Sequence, residues 1–257
     1  MAVNQQPDIP NADPEPFVDR QSPIVNCVMN VAIIAAAGQG SRMGGTRVKQ
    51  FLELSGIPII FHTLRPFEQC EAIQQIVLVL PAVETSGFLS LASKHGLRKL
   101  ARVIAGGPTR AESVLRGLQS IRAATAEIVA VHDGVRPFVT TDEIKRTVES
   151  AQKSGAAVLV GAVTDTIKEV EGDTIVRTLD RSVLRRALTP QCFSYEVLSR
   201  AYENVNTSDP QITDESVLVE RLGLKITFVE GSSRNIKITR EEDLAIGEAL
   251  LKGWEEG

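Results

Sequence analysis

Val31-Ala-Ile-Ile-Ala-Ala-Ala-Gly-Gln-Gly-Ser-Arg-Met-Gly44 is an apolar run that narrows to alanines, turns on glycines and presents Arg42, with Lys49-Gln50 close behind. Apolar residues without polar alternation read as a strand buried on both faces of a parallel sheet. Small residues beyond it let a ligand touch the backbone, whose free N–H groups bind phosphate oxygens. Two cations beside such a turn bracket a polyanion. The segment is not a P-loop, because G-x-x-x-x-G-K-[ST] is absent. Gly38-x-Gly40 followed by Gly44 is one residue late for a dinucleotide fingerprint. A plain structural turn remains the bland alternative.

Outward from this segment, further apolar runs occur at Ile76–Leu80, Arg102–Ala105, Ile128–His132, Ala156–Ala162 and Lys225–Glu230, and the first extends over Cys27–Ala37. Helical stretches lie between them. Thr109-Arg-Ala-Glu112, Thr140-Thr-Asp-Glu143 and Thr239-Arg-Glu-Glu242 each fit a capping box, and Pro58 suits the first position of a helix running to about Glu71. The alternation predicts one doubly wound, mostly parallel α/β sheet with its ligands at the carboxyl ends of the strands. Gly38, Gly106-Gly107 and His132-Asp133 all stand at such ends. Thr164–Leu179 breaks the rhythm: apolar and charged residues alternate around Gly172-Asp173, which predicts a two-stranded ribbon. An isolated hairpin is marginal in water, so a second subunit is its expected support.

The net charge of −4 over 257 residues gives no global field for nucleic acid or membrane, so anionic substrates need a local cluster of cations. Arg42, Arg47, Lys49, Arg110, Arg136, Lys168, Arg181, Arg185, Arg186 and Lys237 are the candidates. Cys27, Cys70 and Cys192 are widely spaced, which suits a reducing compartment, and a cytoplasmic location is expected. No apolar stretch reaches the ~18 residues of a membrane helix. Residues 1–25, polar and rich in proline and acid, are expected to be a disordered tail before a domain over 26–252.

Three further segments carry candidate chemistry. Glycines in Gly106-Gly107-Pro-Thr-Arg110-Ala-Glu-Ser113 permit close approach of a base, whose edge Ser113 would read; a plain strand–turn–helix corner is the alternative. Asp133 in His132-Asp133-Gly-Val-Arg136-Pro137 suits a hydroxyl or a phosphate-bound Mg²⁺, with Arg136 clamping a second anion; a local Asp133–Arg136 pair is the plainer reading. Lys237, flanked by Ile236 and Ile238, reads as held by a strand and aimed, against the default of a surface lysine.

Taken together these segments resemble the 2-C-methyl-D-erythritol 4-phosphate cytidylyltransferase family. Asp165-Thr166, Asp180-Arg181, Leu188-Thr-Pro-Gln191, Thr213-Asp214-Glu215 and Asn235-Ile-Lys237-Ile-Thr239 extend the match from about Val31 to Leu250. The resemblance implies a Rossmann-like nucleotidyltransferase of the nucleotide-diphospho-sugar transferase type, transferring CMP from CTP with release of pyrophosphate. It also implies Mg²⁺ dependence and a homodimer in which a hairpin arm, about 163–184, completes the neighbour's pocket. By the same resemblance Arg42 and Lys49 hold the CTP phosphates, while Arg181 and Lys237 position the sugar phosphate, Arg181 reaching across subunits with Thr166. Ala36, Ala37, Gly38, Gly40, Gly107, Arg110 and Ser113 are expected at CTP. Asp133, Arg136 and Thr189 are expected at the sugar phosphate, with Asp133 also near the metal. Val48, Pro108 and Gly134-Val135 depart from the family pattern without touching those cations. A sister enzyme acting on ribitol 5-phosphate shares the CTP motifs, and a non-catalytic nucleotide-binding protein is a third reading.

Overall fold

The computed structural model describes residues 28–38 and 48–255. In chain order the strands are β1 (Met29–Ala35), β2 (Glu53–Leu54), β3 (Ile57–Pro58), β4 (Gln75–Leu80), β5 (Leu100–Ala105), β6 (Ala126–Asp133), β7 (Ala156–Ala162), β8 (Lys168–Glu171), β9 (Thr174–Thr178), β10 (Arg185–Ser194) and β11 (Thr227–Glu230). The helices are α1 (Ile59–Gln69), α2 (Phe88–Lys94), α3 (Arg110–Gln119), α4 (Thr141–Ser154), α5 (Tyr195–Ala201), α6 (Glu215–Arg221) and α7 (Glu242–Glu255).

Seven strands form the central sheet in the order β11-β7-β10-β6-β1-β4-β5. All its neighbours pair in parallel except β10, which runs antiparallel between β6 and β7. Successive residues of β1 and β6 bury opposite faces, as a period of two requires. Ile34, Ile128 and Ala130 join a core with Phe61, Leu64 and Phe67 of α1 and Ile144 and Val148 of α4. Ile33, Val129 and Val131 join a second core with Val114 and Leu118 of α3, Leu198 of α5 and Leu218 of α6. From β1 the chain winds out through β4 to β5 and then returns to the other side of β1 as β6. The reversal makes the carboxyl ends of β1 and β6 the switch point at which such sheets bind ligands.

Helix starts follow local rules in two of three places. Thr140 forms a complete capping box with Glu143, and Thr109 accepts the Glu112 N–H. The third differs. At α7 the Asp243 carboxylate accepts the backbone N–H groups of Thr239 and Arg240, at 2.7 and 2.8 Å, so no Thr239–Glu242 box forms. The sequence reading lacks the short β2–β3 pair, whose Pro58 precedes α1 rather than opening it, and one strand of the central sheet, β10. It begins Arg185-Arg186 and contains Pro190 at a register irregularity against β7, so neither apolar continuity nor alternation marks it. The ribbon does form: β8 and β9 pair as a separate two-stranded sheet around Gly172, whose φ is +55°. Val170, Ile175 and Val176 on it are more than half exposed.

Candidate active site

The carboxyl ends of β1, β5 and β6 enclose a cavity of about 570 Å³. Ala35, Ala36, Ala37 and Gly38 line it from β1, Gly107, Arg110 and Ser113 from the β5–α3 turn, and Asp133 from β6. Small residues are a steric necessity here. A Cβ on Gly134 would lie 2.4 Å from the Ala36 Cβ, and one on Gly106 would lie 2.2 Å from the Ala37 Cβ. Glycine therefore lets both neighbouring turns close on the end of β1. Gln50, buried, donates its Nε2–H to the Ala36 carbonyl at 2.6 Å, which brings Lys49 to the same wall. Ser113 shapes the Gly107 turn by accepting its N–H at 3.1 Å and donating to the Thr109 carbonyl at 2.8 Å.

Asp133 is the electrostatic centre. Its Oδ1 accepts Arg110 Nε at 3.0 Å, and its Oδ2 meets Lys237 Nζ at 2.9 Å and Arg136 Nε at 3.3 Å. Burial alone would raise the Asp133 pKa, but Arg110, Lys237 and Arg136 outweigh it and hold the carboxyl well below the usual carboxylate range. Arg110 also places Nη1 between the two oxygens of Glu215, at 2.8 and 2.9 Å. Burial opposes the Arg110 charge, yet Glu215 and Asp133 together keep it more firmly protonated than a free arginine.

A polar seam behind the cavity fixes this carboxylate. The Asp133 N–H donates to Thr189 Oγ1 at 3.2 Å, and that hydroxyl lies 2.9 Å from His132 Nδ1. His132 Nε2 lies 3.1 Å from the Arg136 carbonyl. Burial lowers the His132 pKa to about 4, so the ring is neutral at pH 7. A proton on Nε2 then serves the carbonyl while Nδ1 accepts from Thr189. Asn235 donates to the Thr189 carbonyl at 2.9 Å and accepts Arg136 Nη1 on its own carbonyl at 3.0 Å. Lys237 follows it in an irregular segment rather than the expected strand. The Ile238 N–H donates to the Val135 carbonyl at 2.9 Å, and fully buried Ile238 packs with Leu54, Ile59 and Phe138. One backbone bond and one apolar anchor thus aim Lys237.

Among the described residues, the predicted ones sort into three groups. Ala36, Ala37, Gly38, Lys49, Gly107, Arg110, Ser113, Asp133 and Lys237 line one cavity. Arg136 and Thr189 stand behind it, and the Thr189 hydroxyl is committed to Asp133 and His132. Thr166 and Arg181 are exposed on the ribbon segment, where Arg181 Nη1 donates to the Thr164 carbonyl, and neither lines this chain's cavity. Arg42, Gly40 and the 1–25 tail lie outside the described residues. Gln50, Gln191 and Glu215 received no role from sequence; only their places in the quoted segments marked them.

Asp133 does not suit a metal as arranged, because both its oxygens already face cations. Among the described residues no cluster of three or more His, Cys, Asp or Glu side chains is placed to hold a metal.

A small-residue hollow at the switch point of a doubly wound sheet, walled by lysines and arginines, defines a nucleotide-binding α/β protein built for polyanions. A family model described as 2-C-methyl-D-erythritol 4-phosphate cytidylyltransferase matches residues 30–253. The protein of that name from Bacillus cytotoxicus is 44% identical over 223 residues, covering 87% of this chain and 98% of the relative. Its counterpart from Bacillus mycoides is 43% identical with the same coverage. The solved 4-diphosphocytidyl-2C-methyl-D-erythritol synthase from Anaerococcus prevotii superposes with a TM-score of 0.77 at 28% identity, over 88% of this chain and 96% of that one. The 2-C-methyl-D-erythritol 4-phosphate cytidylyltransferase of Thermus thermophilus gives 0.70 at 32% identity, over 88% and 99%. The chain belongs to the 2-C-methyl-D-erythritol 4-phosphate cytidylyltransferase family.

Proposed function

We propose that this chain carries out its family's reaction, with Lys49 and Lys237 as the described cations that act on the reacting phosphates. CMP passes from CTP to 2-C-methyl-D-erythritol 4-phosphate, and pyrophosphate leaves, in isoprenoid biosynthesis. The observation that carries the residue assignment is the convergence of Lys49, Lys237, Asp133 and a glycine–alanine floor on one cavity.

The nucleophile is a phosphate oxygen, anionic near neutral pH, so no strong general base is required. It attacks the α-phosphorus of CTP; the new P–O bond forms as the bond to the β-phosphate oxygen breaks. The barrier lies in bringing two polyanions together and neutralising charge on the pentacoordinate phosphorus, so positioning and preorganised cations supply the catalysis. The floor from Ala36 to Gly38 and Gly107 takes the nucleotide, with Ser113 setting the shape of the Gly107 turn. Lys49, with Arg42, serves the triphosphate. Lys237, aimed by Asp133, serves the incoming phosphate. Mg²⁺ would be carried by the triphosphate oxygens rather than by a carboxylate cage, and its charge would ease departure of pyrophosphate.

Arg181 and Thr166 act in the neighbouring subunit's site, and the ribbon is the dimer arm. Two facts support this: neither residue reaches this chain's cavity, and Val170, Ile175, Val176 and Val183 on the segment are 54–78% exposed. A cytoplasmic location goes with this reading and is supported by the free, buried thiols of Cys70 and Cys192.

The test supplies CTP and Mg²⁺ with either methylerythritol phosphate or ribitol 5-phosphate and measures pyrophosphate. Release with methylerythritol phosphate is expected; release with ribitol phosphate alone overturns the substrate assignment.

A further inference from the structure

The segments Leu188–Gln191 and Thr213–Glu215 belong to the family pattern, yet the transfer chemistry gives Gln191, Asp214 and Glu215 no task. In the fold they meet. Gln191, buried in β10, accepts the backbone N–H groups of Glu215 and Ser216 on Oε1, both at 3.1 Å. Its Nε2–H donates to Asp214 Oδ2 at 2.8 Å, while Asp214 Oδ1 caps α6 through the Val217 N–H. The start of α6 is thereby bolted to the sheet.

That bolt places Glu215, which has no exposed surface. Its carboxylate takes Arg110 Nη1 on both oxygens, and its Oε1 also accepts the Tyr202 hydroxyl at 3.0 Å. Arg110 hands the arrangement on, giving Nε to Asp133 Oδ1 at 3.0 Å. Asp133 then holds Lys237 at 2.9 Å. A carboxylate–guanidinium–carboxylate–ammonium series runs from the interior to a cavity cation.

A buried ion pair is weak grounds for stability, since an apolar pair of equal volume often serves as well. Its value lies in geometry. A guanidinium is planar and presents a rigid fork, so fixing Nη1 also fixes the direction of Nε. Without Glu215, Arg110 would meet Arg136 and Lys237 around one carboxylate with its own charge uncompensated, and it would be drawn toward a bound triphosphate. Nη1 is committed to Glu215 and Nε to Asp133. Arg110 is then a strut more than a grip on CTP.

We propose that Glu215 is a positioning residue for cytidylyl transfer, acting through Arg110 on Asp133 and so on Lys237, without touching either substrate. The proposal rests on the reading of Asp133 and Lys237 given above. The test is a double-mutant cycle of Glu215→Gln and Asp133→Asn in the full-length protein, with kcat, both KM values and thermal unfolding measured for each variant. Glu215→Gln is expected to fold and to lower kcat about 10- to 100-fold, with KM for CTP within about threefold, as for loss of a preorganised group. In the Asp133→Asn background it should cost less than about twofold more, because residues acting in series are not additive. Multiplying losses would mark a separate structural role and overturn the proposal, as would a Glu215→Gln enzyme with wild-type kcat. If that variant does not fold, Arg110→Lys replaces it, since one ammonium still pairs with Glu215 but cannot bridge to Asp133. The same coupled loss is expected, and full turnover refutes the series. Wild-type turnover in Asp133→Asn alone would overturn the site assignment itself and the proposal with it.

Discussion

Replacing Lys237 by Met should separate catalysis from stability. In the folded protein Lys237 Nζ lies 2.9 Å from Asp133 Oδ2, but Asp133 keeps Arg110 at 3.0 Å and Arg136 at 3.3 Å when the lysine is gone. The lysine side chain is 37% exposed, so its ion pair is partly solvated and its loss costs folding about 1 kcal/mol or less. The methionine stem keeps the packing of the lysine chain. The reaction sees a different balance. A cation ~4 Å from a phosphate charge is worth about 4 kcal/mol at an effective dielectric near 20. Loss of one preorganised donor typically costs ~3 kcal/mol in the transition state, or about 10²-fold in rate. Pyrophosphate release at saturating CTP, with methylerythritol phosphate varied, should therefore show kcat/KM down about 100-fold. Guanidinium unfolding should stay close to wild type. Arg110→Met provides the contrast: it strands the fully buried Glu215 carboxylate and should cost ~3–5 kcal/mol of stability. Turnover of Lys237→Met within about threefold of wild type would refute the reasoning, as would a stability loss as large as that of Arg110→Met.

Stability should fall as pH drops from about 6.5 toward 4. His132 has a native pKa of about 4 against 6.5 when unfolded, so within that window the unfolded chain binds a proton that the native state does not. Its contribution, ~3 kcal/mol, is complete above the window and lost below it; urea unfolding across pH should show a slope that His132→Asn reduces, and an unchanged slope would count against a buried neutral ring. Gly106→Ala places a Cβ 2.2 Å from the Ala37 Cβ and 2.8 Å from Ser113 Oγ, so it should cost ~1–3 kcal/mol and raise KM for CTP; wild-type kinetics would show that the floor yields. Mixing Arg181→Ala with Lys237→Met subunits should restore up to about a quarter of wild-type activity, because half of the dimers are mixed and each then holds one intact site; no recovery on mixing would speak against a site shared across subunits.

Much of the architecture is legible in local pattern. Val31–Ala35, Ile76–Leu80 and Ile128–Val131 are apolar without alternation because both sheet faces are covered, so they announce buried parallel strands. Thr109 and Thr140 mark helix starts through bonds that span three residues. β10 escapes such reading: its charged start, Pro190 and register irregularity are tolerated because β6 and β7 bond it from both sides. The Thr239 start escapes it too, since the acceptor, Asp243, lies one residue beyond the pattern.

The residue types of the site, and their order along the chain, are settled by sequence: small residues at strand ends, lysines and arginines near them, a ribbon around Gly172. These follow from short-range chemistry, in which glycine permits close approach and periodicity declares burial. Beyond the local Asp133–Arg136 pair, which charges act together is a matter of tertiary structure. Asp133 collects cations from α3, from the turn after β6 and from the Lys237 segment, and Glu215 reaches Arg110 across 105 positions of sequence. Coulomb energy and hydrogen-bond geometry depend on ångströms in space, and only the winding of the sheet brings Arg110, Lys237 and Glu215 into the 2.8–3.0 Å contacts that join them through Asp133.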